Sequence, residues 1–167
     1  MFTRLALRAG SSSQNSIRQF SSIKRLGLDN PNMSQIVVHN GVVYISGQVD
    51  ASSASDIEGQ TKDVLARIDS LHQDAGTNKS KLLTASIWVK DIQKDFQGMN
   101  GVWNWWLDPN NKPVRATVEA NMATPQILVE VQVSAALTWV DLHIWMNKDD
   151  RQLTSIPTVQ LEDKDKH

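Results

Sequence analysis

Several stretches of the chain alternate apolar and polar residues with a period of two, the pattern of a β-strand with one buried face. The alternating stretches cover residues 42–46, 83–90, 113–120 and 127–134, and a β-rich run at 35–39 precedes them. Asn40-Gly41 separates the first two runs, and this dipeptide is typical of a two-residue hairpin. The pattern therefore predicts five strands, the first two joined as a hairpin.

Two further stretches repeat their apolar residues at helical spacing. The first predicts a helix that begins at a capping box of Ser55 and Glu58 and ends at Gly76 in the left-handed conformation. Its apolar face consists of Ile57, Thr61, Val64, Leu65, Ile68, Leu71 and Ala75. The second predicts a helix over about residues 95–107. Its apolar stripe consists of Phe96, Met99, Trp103, Trp106 and Leu107.

The predicted element order is β-β-α-β-α-β-β, which favours an α+β fold with both helices on one face of a mixed sheet. We expect the apolar strand residues, including Leu83, Val114 and Val118, to pack under the helices, and the polar ones, including Gln48, to share the other face. The polar face would hold the candidate functional residues Ser46, Arg115, Thr117 and Glu130. Trp88 on the same face favours partial burial against another subunit.

Composition narrows the classes of function. The chain has 167 residues, which favours one domain, and it has no cysteine, which excludes disulfides and thiolate chemistry. No apolar run approaches the roughly 18 residues of a membrane span, so we expect no membrane association. Residues 29–167 contain 12 basic and 18 acidic residues, a net charge of −6. A domain of that charge is a poor general binder of nucleic acid.

The two ends of the chain differ from the part between them. Residues 1–22 are rich in arginine and serine and free of acidic residues, which predicts a mitochondrial transit peptide that is cleaved after import. The expected location is the mitochondrial matrix, with the cytosol as the alternative if this segment is only a basic tail. Residues 23–137 form the predicted domain. Residues 138–167 form a C-terminal extension that is apolar at first and then charged, and we expect it to be partly disordered.

Arg115 and Glu130 are the candidate chemical groups. A charge in the middle of a strand costs free energy unless it is paired or has a function. The planar arginine side chain suits a carboxylate held by two hydrogen bonds, and a nearby glutamate could move protons or activate water. The alternative is structural: Arg115 would pair with Glu119 or Glu130, and Glu130 would be a solvated strand residue. Glu119 itself is expected to be structural.

The four histidines lack metal-ligand spacing, so we expect each histidine at the surface and no bound metal.

Short motifs along residues 33–136 resemble the RidA/YjgF family of enamine and imine deaminases. The matching motifs are Tyr44-Ile45-Ser46-Gly47-Gln48, Gln60-Thr61, Asp74-Ala75-Gly76, Asn100, Arg115 to Ala120, and Val129-Glu130-Val131. The resemblance implies a chorismate-mutase-like fold assembled as a homotrimer. The polar faces of the sheets would form an inner barrel, with the active sites in the clefts between subunits.

The resemblance also implies a reaction without cofactor or metal. The substrate would be a small carboxylate, a 2-aminoacrylate-type enamine or its imine, and hydrolysis would give a 2-keto acid and ammonia. Arg115 matches the position that binds the substrate carboxylate, and Glu130 matches the position that handles water or a proton. Ser46, Gly47 and Thr117 would line the pocket. Met33 occupies a position where several members have a pocket tyrosine, and a thioether cannot supply that hydroxyl.

Two alternatives to a deaminase stay open. The chain could form a non-catalytic trimer that binds keto or amino acids, and Met33 in place of tyrosine keeps this possibility open. It could instead act on RNA, since some relatives are described as ribonucleases or translation inhibitors. The acidic charge of residues 29–167 makes the second alternative the weaker one.

Overall fold

The computed structural model of the protein describes residues 23–50 and 56–137, which form a six-stranded mixed sheet with two helices. The strands are β1 Lys24–Leu26, β2 Ile36–His39, β3 Val42–Gln48, β4 Leu82–Val89, β5 Val114–Glu119 and β6 Val129–Ala136. The helices are α1 Ile57–Asp74 and α2 Ile92–Trp106, with a short 3-10 helix at Lys79–Lys81. The predicted order is confirmed, and β1 is an additional strand. The predicted transit peptide and the C-terminal extension lie outside the described residues.

Local sequence signals account for the turns and for the ends of the helices. Asn40 and Gly41 both have positive φ, 51° and 75°, as a type I′ hairpin turn requires. Gly76 has a φ of 73° just after α1. The Thr77 amide donates to the carbonyl of His72 at 2.9 Å, which satisfies one of the last carbonyls of the helix. These two predictions are confirmed.

The two helices begin at aspartates, which corrects both predicted starts. The carboxylate of Asp56 accepts from the amide of Gly59 at 2.9 Å, so Asp56 caps α1, and Ser55 lies outside the described residues. Asp91 caps α2 by accepting from the amide of Lys94, so the helix begins at Ile92, three residues before the predicted start. An aspartate cap satisfies free amides of the first turn, so the helix extends back to it.

The order of strands in the sheet is β1-β2-β3-β6-β4-β5. All neighbouring pairs are antiparallel except β4 and β5, which are parallel because α2 connects them. Both helices pack on one face of the sheet, and the core lies between the two layers. The other face, which we call the open face, has no covering element among the described residues.

Alternation along the strands predicts the period correctly but not always the face. In β4, Leu82 is buried and Leu83 is exposed, because the pairing with β6 shifts between Leu82 and Thr84. In β5, Val114 and Val118 are 72% and 48% exposed on the open face, so the prediction that they pack under the helices is wrong. β5 is the last strand in the order of the described sheet. Burial of its valines was therefore not what determined which face of β5 is turned toward the helices.

His72 is buried, which corrects the expectation that every histidine lies at the surface. It follows Ile68 by four residues, so helical spacing places it on the buried face of α1. Neither ring nitrogen has a hydrogen-bond partner among the described residues. Burial lowers the pKa of His72 from 6.5 to about 4, although the nearby Asp69 acts in the opposite direction. The ring is therefore neutral at physiological pH.

Candidate functional site

Arg115 lies on β5 and extends toward the helix side of the sheet. Its Cα partner on β4 is Ala85, which is buried under the helices, and paired residues of neighbouring strands share a face. The guanidinium carbon lies 5.5 Å from the centroid of the Trp103 ring on α2. This distance is typical of a cation–π contact. The aliphatic part of the arginine side chain covers the edge of the core, and the charged group stays accessible to solvent.

The guanidinium of Arg115 forms no ion pair with any carboxylate in the described parts of the chain. The structural alternative, a pair with Glu119 or Glu130, is therefore wrong within one copy. Partial desolvation lowers the pKa of Arg115 below its ordinary value, although the group stays charged at any physiological pH. A cation that is partly desolvated and unpaired is suited to bind an anion from outside the chain.

Thr117 lies two residues after Arg115 on the same face of β5. Its Cα partner is Ile87, another buried residue of the helix side. The hydroxyl oxygen of Thr117 is buried and has no hydrogen-bond partner among the residues described. Buried hydroxyls are seldom left without a partner, because the lost hydrogen bond costs free energy. Arg115 and Thr117 together, which we call the arginine cluster, present an unpaired cation and an unpaired hydroxyl.

Glu119, the next residue of β5 on that face, has a structural role as expected. Its carboxylate accepts a hydrogen bond of 2.9 Å from the amide of Ile92, at the start of α2. Negative charge at a helix N-terminus is favourable, so this hydrogen bond of Glu119 stabilises the contact between the end of β5 and the start of α2.

Glu130 lies on β6 and faces the open side of the sheet. Its Cα partner on β4 is Trp88, which is partly buried on that side. The carboxylate packs against the Cα of Gly47: a Cβ at position 47 would lie 2.9 Å from the carboxyl carbon of Glu130 and in still closer contact with Oε1. Only glycine permits this approach. Glu130, Gly47 and Ser46 form what we call the glutamate cluster.

A β-bulge produces the close approach of Gly47 to Glu130. Ile45 pairs with Val133 and Gln48 pairs with Val131, so Ser46 and Gly47 both lie opposite a single residue of β6. The extra residue turns Gln48 to the helix side, where it is 3% exposed, so the prediction that Gln48 lies on the polar face is wrong. The glycine inside a strand was the sequence signal that could have indicated the bulge.

Gln35 and Gln48 are two residues of the site that were not among the candidate functional residues, although Gln48 belongs to one of the matching motifs. The amide nitrogen of Gln48 donates to the Gln35 side-chain oxygen at 3.1 Å and to the Ser46 hydroxyl at 2.9 Å. The Ser46 hydroxyl donates to the same Gln35 oxygen at 3.3 Å. Both glutamines therefore surround the bulge next to Glu130.

The predicted site residues do not form one surface within a single copy. Arg115 and Thr117 are on the helix side, whereas Glu130 is on the open side, two strands away. Met33 is exposed in the connection between β1 and β2, at the other edge of the sheet from β5. Four strand spacings, about 19 Å, separate β2 from β5. The shared-surface prediction is wrong because β5 has the opposite orientation to β6.

No group of metal-ligating side chains occurs in residues 23–50 and 56–137. Within the same ranges, neither helix combines the length and the hydropathy that crossing a lipid bilayer requires.

Comparisons with known proteins agree with the motifs in the sequence. A family model described as "Endoribonuclease L-PSP" matches residues 29–137. A RutC family protein of Haemophilus influenzae is 39% identical over 115 residues, covering 68% of this chain and 97% of the relative. A crystal structure of a YjgF family member from Neisseria meningitidis superimposes with a TM-score of 0.68 and 35% identity, covering 71% of this chain and 98% of that one. The mitochondrial protein mmf1 of Schizosaccharomyces pombe is 29% identical over 109 residues, covering 61% of this chain and 66% of the relative.

Proposed function

Because this chain belongs to the Endoribonuclease L-PSP family, which includes the RidA/YjgF and RutC proteins, we propose that it is a deaminase of small carboxylates. Its substrates would be 2-aminoacrylate-type enamines and the corresponding imines. The products would be 2-keto acids and ammonia. This chemistry needs water as its only co-reactant.

The observation that carries the proposal is the arginine cluster. Arg115 is an unpaired guanidinium fixed over Trp103, and the hydroxyl of Thr117 on the same face has no partner. A substrate carboxylate would supply the missing acceptor for the guanidinium fork.

Glu130 would act as the proton carrier in the hydrolysis. In the imine tautomer, water adds to the carbon of the C=N bond while Glu130 accepts a proton from that water. Glu130 returns that proton to the nitrogen, which gives a carbinolamine. It then takes the hydroxyl proton of the carbinolamine and passes it to the amine, so that the C–N bond breaks and ammonia leaves as the carbonyl forms. The carboxylate clamp keeps the reacting carbon next to Glu130.

The separation of the two clusters favours a site shared between copies. Arg115 and Thr117 would come from one subunit and Glu130 with Gly47 from its neighbour, since one chain holds them on opposite faces of its sheet. We therefore propose a homotrimer with three such sites. Met33, exposed at the far edge of the sheet from β5, would reach an arginine cluster only across the same subunit boundary.

Subunit complementation tests this arrangement. Purified full-length protein is given enamine made by a dehydratase from serine, and the decay of the enamine is followed. Arg115→Ala and Glu130→Gln should each lose most of the activity and keep a small, measurable remainder. When the two variants are unfolded and refolded together, about a quarter of the sites should recover both residues, because each site takes one residue from each of two copies. No recovery, with trimers formed, would contradict the shared site.

An RNA-directed activity is the second candidate, and the description of the matching family favours it. The net charge of −6 on residues 29–167 is unfavourable for binding a polyanion. RNA cleavage by the same preparation, abolished in Glu130→Gln, would support this candidate.

The third possibility is a non-catalytic binding trimer. It predicts keto-acid binding that depends on Arg115 without any acceleration of enamine decay.

We further propose import into mitochondria. The basic, acid-free composition of residues 1–22 supports it, and one relative is named as mitochondrial. A fluorescent protein fused to residues 1–30 should accumulate in mitochondria. Cytosolic fluorescence would favour the alternative location.

A further inference from the structure

A hydrogen-bonded bridge of Gln35, Ser46 and Gln48, which we call the glutamine bridge, lies beside the bulge of β3. Gln48 is buried, and its amide nitrogen lies 2.9 Å from the Ser46 hydroxyl, 3.0 Å from the Ser46 carbonyl oxygen and 3.1 Å from the Gln35 side-chain oxygen. Neither glutamine has a part in the hydrolysis as proposed. The bridge is nevertheless a specific arrangement, because every contact of the Gln48 nitrogen is with an acceptor.

The orientation of the Gln48 amide follows from these contacts. A reversed amide would place the Gln48 side-chain oxygen against the Ser46 carbonyl oxygen, which can only accept a hydrogen bond. Gln48 must therefore act as the donor. A carboxylate at position 48 cannot replace it, since an ionised carboxylate only accepts hydrogen bonds.

The bridge controls the backbone at the bulge. Ser46 is held at three points: its amide donates to the Gln35 carbonyl at 3.0 Å, its carbonyl accepts from Gln48, and its hydroxyl contacts both glutamine side chains. The next residue is Gly47, whose Cα lies against the carboxylate of Glu130. A shift of Ser46 would therefore move the surface on which that carboxylate rests.

We propose that Gln35 and Gln48 are positioning residues for Glu130. They hold the Ser46-Gly47 bulge in place, and Gly47 in turn fixes the carboxylate at the point where it exchanges protons with water. The inference rests on the proposed role of Glu130. It adds two residues that contact neither substrate nor water in the proposed mechanism.

Gln48→Met tests the inference, because methionine keeps the length of the side chain and removes the donors. We expect kcat for enamine hydrolysis to fall about 10- to 100-fold with KM changed less than about threefold, because misplacing a catalytic group by about 1 Å has an effect of that size. In a Glu130→Gln background the same substitution should cause no further loss, since a positioning residue has nothing left to position.

Gln35→Met provides a second variant that leaves the buried Gln48 in place. It should lower kcat less, about 3- to 10-fold, because two contacts between Gln48 and Ser46 remain. Thr77→Val is the matched control. It removes a part-buried hydrogen bond to the carbonyl of Ala136, at the other end of β6 from Glu130, so it should lower the unfolding temperature without changing kcat.

The outcomes separate the two proposals. If Gln48→Met and Gln35→Met lower only the unfolding temperature, or if their losses multiply with that of Glu130→Gln, the glutamine bridge is merely structural. Full activity of Glu130→Gln alone would overturn the proposed chemistry, and with it the function of the bridge. Loss of kcat that disappears in the Glu130→Gln background supports the positioning role.

Discussion

β5 and β6 have almost the same pattern in the sequence and opposite orientations in the fold. Val114-Arg115-Ala116-Thr117-Val118 and Val129-Glu130-Val131-Gln132-Val133 both alternate apolar and polar residues. In β6 the valines face the helices and are buried, while in β5 the valines face the open side and the polar residues face the helices. Alternation therefore defines two faces of a strand without deciding which face is covered.

Position in the sheet explains the difference. β6 is a central strand with α1 packed on it, so turning its valines outward would expose them all and bury the charge of Glu130. β5 is an edge strand, where Arg115 can place its stem against Trp103 and still reach solvent. The orientation of β5 therefore costs little free energy, and it places Arg115 and Thr117 together in the arginine cluster.

The largest effect should come from placing a charge on the buried face of β6. Val131→Asp puts an unpaired carboxylate in the core and should lower the free energy of unfolding by about 4 kcal/mol or more. Val118→Asp, the matched change on β5, should alter it by no more than about 0.5 kcal/mol, because that side chain is half exposed. Urea denaturation measures both variants. Equal losses would mean that the valines of β5 are as enclosed as those of β6.

The next effect concerns the polar residues of the two strands. Arg115→Ala should lower kcat/KM by about 30- to 1000-fold, or 2–4 kcal/mol, because the substrate carboxylate loses its charged partner. Arg115→Lys should recover only part of this, since a point charge lacks the planar fork. Glu130→Gln should leave keto-acid affinity nearly intact and slow the chemical step. Full activity of a trimeric Arg115→Ala would return Arg115 to a structural role.

His72 is a polar group under the helices that, unlike Arg115, cannot reach solvent. Its pKa is about 4 in the folded protein and 6.5 when unfolded, so protons bind the unfolded state first as the pH falls. Stability that is complete above pH 6.5 should decrease by roughly 2–3 kcal/mol as the pH falls to about 4. His72→Leu should remove this part of the pH dependence. Identical pH profiles for the two proteins would show that His72 is hydrated.

The smallest effect concerns the support under Arg115. Trp103→Phe keeps an aromatic ring but weakens the cation–π contact, which is worth about 0.5–1 kcal/mol at an accessible site. We expect KM for the enamine to rise about two- to fivefold with kcat unchanged. Trp106→Phe, a change in the neighbouring buried tryptophan, is the control for altered packing and should leave KM unchanged. An equal rise in both variants would trace the effect to packing.

The sequence alone determined the features that depend on neighbouring residues. Asn40-Gly41 specified the hairpin, since both positions require positive φ, and Gly76 ended α1 for the same reason. The periods of the strands and helices, and the motifs that identify the family, are also local. Features that depend on partners distant in the sequence were set by the tertiary fold. Pairing between β3 and β6 produced the bulge that buries Gln48 and brings Gly47 to Glu130. The edge position of β5 turned Arg115 away from Glu130, because a strand with period two can present either face until another layer covers one of them.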